Sequence, residues 1–148
     1  MSADSITLTV LAPAGTLAAG EVDCVIIPAE GGDMAIHPAH TSAVCHLRPG
    51  RLAVSGGGLP EEMALSGGYC EIVRTPSGAE ESESRLHSTV VICARTAEIQ
   101  DQIDVARAEE SEKRARRRLA QPEPDIDPER ARRSLLRALA RLSIARGD

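Results

Sequence analysis

The sequence predicts an α+β protein, with an N-terminal antiparallel β-sandwich followed by a C-terminal two-helix antiparallel hairpin. Short β-branched or alternating runs recur at near-regular spacing up to residue 95, with Gly or Pro between them. No helical period occurs in that stretch. After Thr96 apolar residues recur at three- and four-residue steps, interrupted once by Gln121-Pro122-Glu123-Pro124. The expected division is residues 1–95 for the sandwich and 96–148 for the hairpin, with helices at about 104–120 and 128–146.

The strands follow in order. Ile6, Leu8 and Val10 alternate with Thr7 and Thr9, as in a half-buried strand. Gly15 and Gly20 punctuate the next stretch, and the β-branched run Val22–Ile27 is stopped by Pro28. Gly31-Gly32 turns the chain into a short strand at Met34-Ala35-Ile36. Ala43, Cys45 and Leu47 then alternate with Ser42, Val44 and His46. Pro49-Gly50 reads as a turn, 51–55 as a strand, and Gly56-Gly57-Gly58 as a hairpin tip returning through Met63-Ala64-Leu65. Gly67-Gly68 reads as another break before Tyr69–Val73. Residues 75–85 are polar and acidic and read as a mobile loop, and Leu86–Ala94 closes the series.

The helices carry their own start and stop signals. Asp104 serves as an N-cap or first-turn acid, and Ala108, Ala115 and Leu119 share a face. Glu109 and Lys113 form an i,i+4 pair in the favourable order. Pro122 and Pro124 end this helix. Asp127-Pro128 starts the next one: an acceptor side chain, then a proline where its missing N–H costs nothing. Ala131, Leu135, Ala138 and Leu142 form its stripe, flanked by Leu139, and Gly147 terminates it. Stripes rich in Ala bury little area. At roughly 25 cal/mol per Å² the hairpin contact is worth a few kcal/mol. Ordering the helices costs a comparable amount. The arm is therefore expected to be marginal alone and easily biased by a ligand or partner.

Composition narrows the function. The 148 residues hold one Tyr, no Phe and no Trp, so the core is aliphatic. Base-stacking platforms are largely excluded, which argues against nucleic acid as a partner. Residues 1–103 carry 13 acidic and 5 basic side chains, and residues 104–148 carry 9 acidic and 12 basic. An acidic body with a basic arm points to an anion met by the arm: a nucleotide, an acidic protein face or the body itself. The four cysteines are scattered, without a CxxC motif, and sit in strand-like runs as small apolar residues. Neither a leader nor a membrane-length apolar run is read, so a soluble intracellular chain with reduced thiols is expected.

No catalytic constellation is found. His37, His40, Cys45 and His46 lie within ten positions, but their spacing matches no common zinc pattern. Cys45 and His46 are adjacent, so a strand sends them to opposite faces: Cys45 to the core and His46 to the surface. A nucleophile elbow, a P-loop and a dinucleotide fingerprint are all missing. Glu61-Glu62 and Glu80-Glu81 are paired acids in exposed stretches. Arg107 and Arg114 share one helix face, and Arg137 and Arg141 share another. An antiparallel hairpin brings the two pairs together, and planar guanidinium forks suit phosphate oxygens. Asp104 or nearby backbone groups can then accept from an adenine amino group or a ribose hydroxyl. The alternative is that these arginines only keep a helix pair soluble.

Several runs resemble a known family: Ile6–Leu11, Gly20-Glu21-Val22-Asp23, the run from Ile27-Pro28-Ala29-Glu30-Gly31-Gly32 to His40, Leu47-Arg48-Pro49-Gly50, Ser66–Ile72 and Ile103-Asp104-Val105-Ala106-Arg107-Ala108. In their order and spacing the chain resembles the epsilon subunit of bacterial F-type ATP synthases over nearly its whole length. The resemblance implies a non-catalytic rotor subunit of a proton-translocating synthase, peripheral to the membrane, on the cytoplasmic face of the bacterial cell membrane. Its implied partners are the gamma subunit, the c-ring and the catalytic alpha and beta subunits. It implies a hairpin that lies folded or extends to restrain ATP hydrolysis. No cofactor is required, but ATP as a regulatory ligand is implied at Glu98, Ile103, Asp104, Arg107, Ala108, Arg114, Arg137 and Arg141. Met34-Ala35 and His37-Pro38-Ala39-His40 depart from the family pattern where it meets the c-ring, and the loop 75–85 is longer than typical. Two rivals stand beside this reading. One is a free-standing ATP-sensing module, and the other is a metal-dependent enzyme using His37, His40 and Cys45.

Overall fold

The computed structural model describes residues 4–75 and 87–148. Strands β1 (Ser5–Ala12), β2 (Gly15–Val22), β3 (Cys24–Ala29), β4 (Gly32–Ile36), β5 (Ala43–Ser55), β6 (Glu62–Thr75), β7 (His87–Ala94) and β8 (Ala97–Glu98) come first. A 3-10 turn at Gln100–Gln102 leads into α1 (Val105–Ala120) and α2 (Pro128–Arg146). The expected loop over 75–85, with Glu80-Glu81, lies outside the described residues apart from Thr75, as does Leu86.

The strands form one mixed sheet in the order β2-β1-β7-β6-β5-β3-β4, with β8 added to β6. The sheet doubles over because β5 and β6 are long and bent. Ala43–Leu47 pairs with Gly68–Ile72, whereas Pro49–Ala53 pairs with Glu62–Ser66. The part of β6 from Gly68 to Thr75 also pairs with β7, and Ala64 and Leu65 pair with β8. Two strands thus pass from one layer to the other, as strands do at sandwich corners. Pro49-Gly50 and Gly67-Gly68, read as turns in the sequence, are therefore bends inside continuous strands. Both glycines of the second pair lie at positive φ, and a Cβ on Gly68 would sit 2.0 Å from the Cys93 carbonyl oxygen. Close interstrand approach demands glycine there.

Most neighbours run antiparallel, but β1 pairs with β7 in parallel. The chain between them runs through β2 to β6, of which β2 pairs with β1 and β6 with β7. Apolar alternation has a period of two in either direction, so the sequence pattern carried no sign of this pair. Pro28 does not end its strand either, since β3 continues to Ala29. Gly56, Gly57 and Gly58 all have positive φ and form the β5–β6 turn read from the sequence.

Ile6, Leu8 and Val10 are buried with Val25, Ile27, Leu47, Leu52, Ile72, Val90 and Ile92 in one aliphatic core. Cys70 belongs to it and lies directly across from the half-buried Cys45. Burial above all, then the neighbouring Cys45 and Cys93, pushes the Cys70 thiol up to about 12. It is therefore a packing element and a poor nucleophile. His37 to His40 form the β4–β5 connection, pinned where the buried Ser88 hydroxyl donates to the Pro38 carbonyl at 2.6 Å. Cys45 turns toward the core and His46 toward the surface.

The helix ends follow the sequence signals. The Asp104 carboxylate accepts from the Arg107 amide at 3.0 Å. Asp127 accepts from the Glu129 and Arg130 amides, with Pro128 opening α2. Gly147 closes it in the left-handed conformation.

Candidate functional site

The arm, α1 and α2, is seated on the bent pair of strands: α2 packs against β5 and β6, and α1 packs against α2. Along β6 the in–out alternation breaks, with Met63, Ala64 and Leu65 all buried. Met63 and Leu65 belong to the sandwich core, whereas Ala64 joins Ile103, Ala140 and Ile144 in a separate apolar cluster, with Ala145 at its margin. α2 consequently buries two stripes. One is the Ala131, Ala138 and Leu142 seam, matched by Ala108 and Ala115 on α1. The other is the Ala140 and Ile144 pair against the body. Each fully buried isoleucine contributes roughly 1.5–3 kcal/mol, and each alanine much less. The cost of ordering the segment opposes this gain.

Polar ties surround the seat. Arg141 Nε donates to Glu98 Oε2, with about a quarter of each side chain exposed. Arg133 meets Glu30 at 2.9 Å, with both side chains nearly half exposed. The Arg51 guanidinium donates to the Asp148 carbonyl at 2.7 Å, and the Gln100 amide to the Ala145 carbonyl at 3.4 Å. Exposed pairs of this kind contribute about 0–1 kcal/mol each. They orient the arm more than they hold it.

The pair expected within α1, Glu109 with Lys113, gives way to a tie between helices: Glu109 meets Arg146 at 3.2 Å. A partner from the neighbouring helix competes with the local one, and sequence spacing does not see it. This contact ties the last turn of α2 to the N-terminal half of α1.

The eight residues implied as an ATP site are placed as follows. Glu98 and Arg141 pair, Ile103 lies in the apolar seat, and Ala108 lies in the helix seam. Asp104 is spent on capping. Arg107 and Arg114 are exposed on α1; Arg114 reaches only the Ser111 hydroxyl, at 3.4 Å, and the Arg107 guanidinium makes no hydrogen bond or ion pair among the described residues. Arg137 is half-buried and donates to the neutral Ser134 hydroxyl at 3.0 Å. Burial, then the charges of Arg141, Arg95, Arg133 and Arg130 around it, holds its pKa below the usual arginine range. Three guanidiniums without a carboxylate partner fit an anionic ligand. Among the described residues no group of three or more His, Cys, Asp or Glu is placed to hold a metal ion.

A cavity of about 620 Å³ opens between α2 and the body. Arg95, Arg133, Arg137, Tyr69, Leu47 and the Gly67-Gly68 bend are part of its wall. Of the eight residues above, Arg137 alone lines it.

Residues 5–75 match the ATP synthase delta/epsilon chain β-sandwich domain, and residues 101–146 match the long α-helix domain of the same family. The chain belongs to the ATP synthase delta/epsilon family. It is 34% identical over 138 residues to the ATP synthase epsilon chain of Desulforamulus reducens, covering 93% of this chain and 95% of that one. It is 32% identical over 142 residues to the epsilon chain of Bacillus licheniformis, covering 96% and 98%. In fold it resembles a chain of the Euglena gracilis mitochondrial ATP synthase, solved as OSCP/F1/c-ring in rotational state 1. That match has a TM-score of 0.68 at 21% identity, over 89% of this chain and 76% of the other.

Sequence reasoning missed Ala64, Ala140, Ile144 and Arg95. The unbroken Met63-Ala64-Leu65 run and the four-residue step from Ala140 to Ile144 were the available signals for the seat. Ala64→Asp places a carboxylate in the seat, where burial without a partner costs several kcal/mol. The arm is expected to leave the body while the sandwich stays folded. Trypsin is expected to cut within 105–146 at least about tenfold faster than in wild type, with the β-sheet circular dichroism retained. An unchanged cleavage rate would show that the cluster does not hold the arm.

Proposed function

We propose that this member of the epsilon family is a non-catalytic central-stalk subunit of a proton-translocating F-type ATP synthase. In this reading the sandwich binds the gamma subunit and the c-ring on the cytoplasmic face of the bacterial cell membrane. The arm restrains ATP hydrolysis by extending toward the catalytic alpha and beta subunits. Two independent supports agree: membership of the family over both segments, and an arm docked through a small, alanine-rich seat. The second carries the regulatory part, because a weak seat leaves two positions of the arm close in free energy. Among the described residues no helix is long and apolar enough to cross a membrane, which agrees with a peripheral subunit. The basic α2, with Arg130, Arg132, Arg133, Arg137 and Arg141, supplies the charge for an acidic protein surface once the arm is released.

The same reading makes ATP the ligand of the folded arm, with Arg107, Arg114, Arg137 and Arg141 toward the phosphates and Glu98 and Asp104 as acceptors. Bound ATP would favour the seated position by its differential affinity for it. The rival, a free-standing ATP sensor, makes no use of gamma and would not co-purify with it.

Truncation after Ala120 in the assembled synthase is expected to raise ATP hydrolysis several-fold while leaving assembly with gamma intact. Hydrolysis no faster than that of the full-length enzyme would refute the restraining role. In the isolated protein, Arg107→Ala is expected to weaken ATP binding about tenfold or more, followed by NMR shifts of α1 and α2. Equal affinity would remove Arg107 from the site.

A further inference from the structure

The cavity between α2 and the sandwich has a composition unlike the rest of the body. Three guanidiniums, Arg95, Arg133 and Arg137, line it, and Glu30 is the one carboxylate among its wall residues. Glu30 is already matched to Arg133. The Arg95 guanidinium has no hydrogen bond or ion pair among the described residues, and the Arg137 guanidinium is bonded only to a neutral hydroxyl. Two cations thus face the same space without a counter-charge, although the segment holding Arg95 is acidic overall. Like charges gathered at a partly desolvated wall raise the free energy of the empty site, and an anion lowers it.

The volume also limits the ligand. About 620 Å³ lies inside the usual range of roughly 300–1,000 Å³ for small-molecule pockets and exceeds what a lone phosphate needs. Leu11, Ala12, Pro13, Leu47 and Ala94 give the wall an apolar stretch, and the half-exposed Tyr69 ring stands at its side. The chemistry is therefore that of a phosphate-bearing small molecule with an apolar or planar body. Arg95 comes from the end of the sandwich, and Arg133 and Arg137 come from α2. The two groups of donors lie on opposite sides of the joint between arm and body.

We propose that this cavity is a second binding site, for a phosphate-bearing small molecule, gripped by Arg95 on the body and by Arg137 on the arm, with Arg133, held by Glu30 and Glu129, at its edge. Occupancy latches the arm onto the sandwich, because only the seated arrangement presents both uncompensated guanidiniums, Arg95 and Arg137, to one ligand. The site differs from the eight-residue set of the proposed ATP site and shares only Arg137 with it. Arg95 and Arg133 are its own.

The test uses the full-length isolated chain, inorganic pyrophosphate as the probe of the phosphate group, and ATP in a separate arm. Binding is read by calorimetry and by NMR shifts at Arg95, Tyr69 and the 133–137 turn. Wild type is expected to bind pyrophosphate with shifts at those positions. Arg95→Gln is expected to weaken pyrophosphate binding about tenfold or more, and Arg95→Lys less, by retaining the charge without the planar fork. Arg107→Ala is expected to leave the pyrophosphate shifts at Arg95 and Tyr69 in place. Unaltered affinity in a folded Arg95→Gln variant would overturn the proposal, as would the absence of pyrophosphate shifts in wild type. Failure of the ATP reading looks different: Arg107→Ala would leave ATP affinity intact while the Arg95→Gln effect on pyrophosphate persisted.

Discussion

One short apolar seam, Ala64 and Ile103 against Ala140 and Ile144, joins two structures of unequal strength. On one side is a continuous aliphatic core spanning seven strands of a doubled sheet. On the other are two helices whose mutual seam is mainly alanine. The sandwich is built on non-local strand pairing and has a core separate from the cluster that seats the arm. The helices have little hydrophobic area to spend outside that seam, so their position is set by a balance of a few kcal/mol. Partly exposed ion pairs ring the seam and tune the balance without dominating it.

The seat depends on the bends in β5 and β6. Gly67-Gly68 lets β6 cross from one layer to the other, and the segment on the near side of that bend presents Ala64 outward. A larger side chain at Ala64 would hold α2 off the strand. The same bend forms part of the wall of the cationic cavity, so one backbone feature shapes both the seat and the pocket. Electrostatics adds a second coupling. Arg133 and Arg137 lie on the arm, Arg95 and Glu30 on the body, so their mutual field depends on where the arm sits. Under the proposed function, a ligand or an acidic protein surface that compensates those charges would act on the position of the arm.

Much of this was legible in the sequence, for local reasons. Caps are local chemistry: Asp104, Asp127-Pro128 and Gly147 act within three residues of their own position, and all three ends follow the sequence. Alternation of Ile6, Leu8 and Val10 reports burial directly. Bends were misread because a bend and a turn use the same residues, as at Pro49-Gly50 and Gly67-Gly68. The parallel β1–β7 pair left no trace because strand direction does not alter a period of two. Glu109 chose Arg146 over Lys113 because a second helix offered a competing partner. Tertiary meeting also explains the cavity: Arg95 and Arg133 are 38 positions apart, and only the seated α2 brings them to one wall.

Native-state amide exchange of the full-length chain tests the central claim most directly. The account predicts that α1 and α2 exchange together, through an opening that costs several kcal/mol less than global unfolding, while β1, β5, β6 and β7 exchange only through the global event. Helical amides protected to the same free energy as those of the sheet, falling together with them in denaturant, would contradict it.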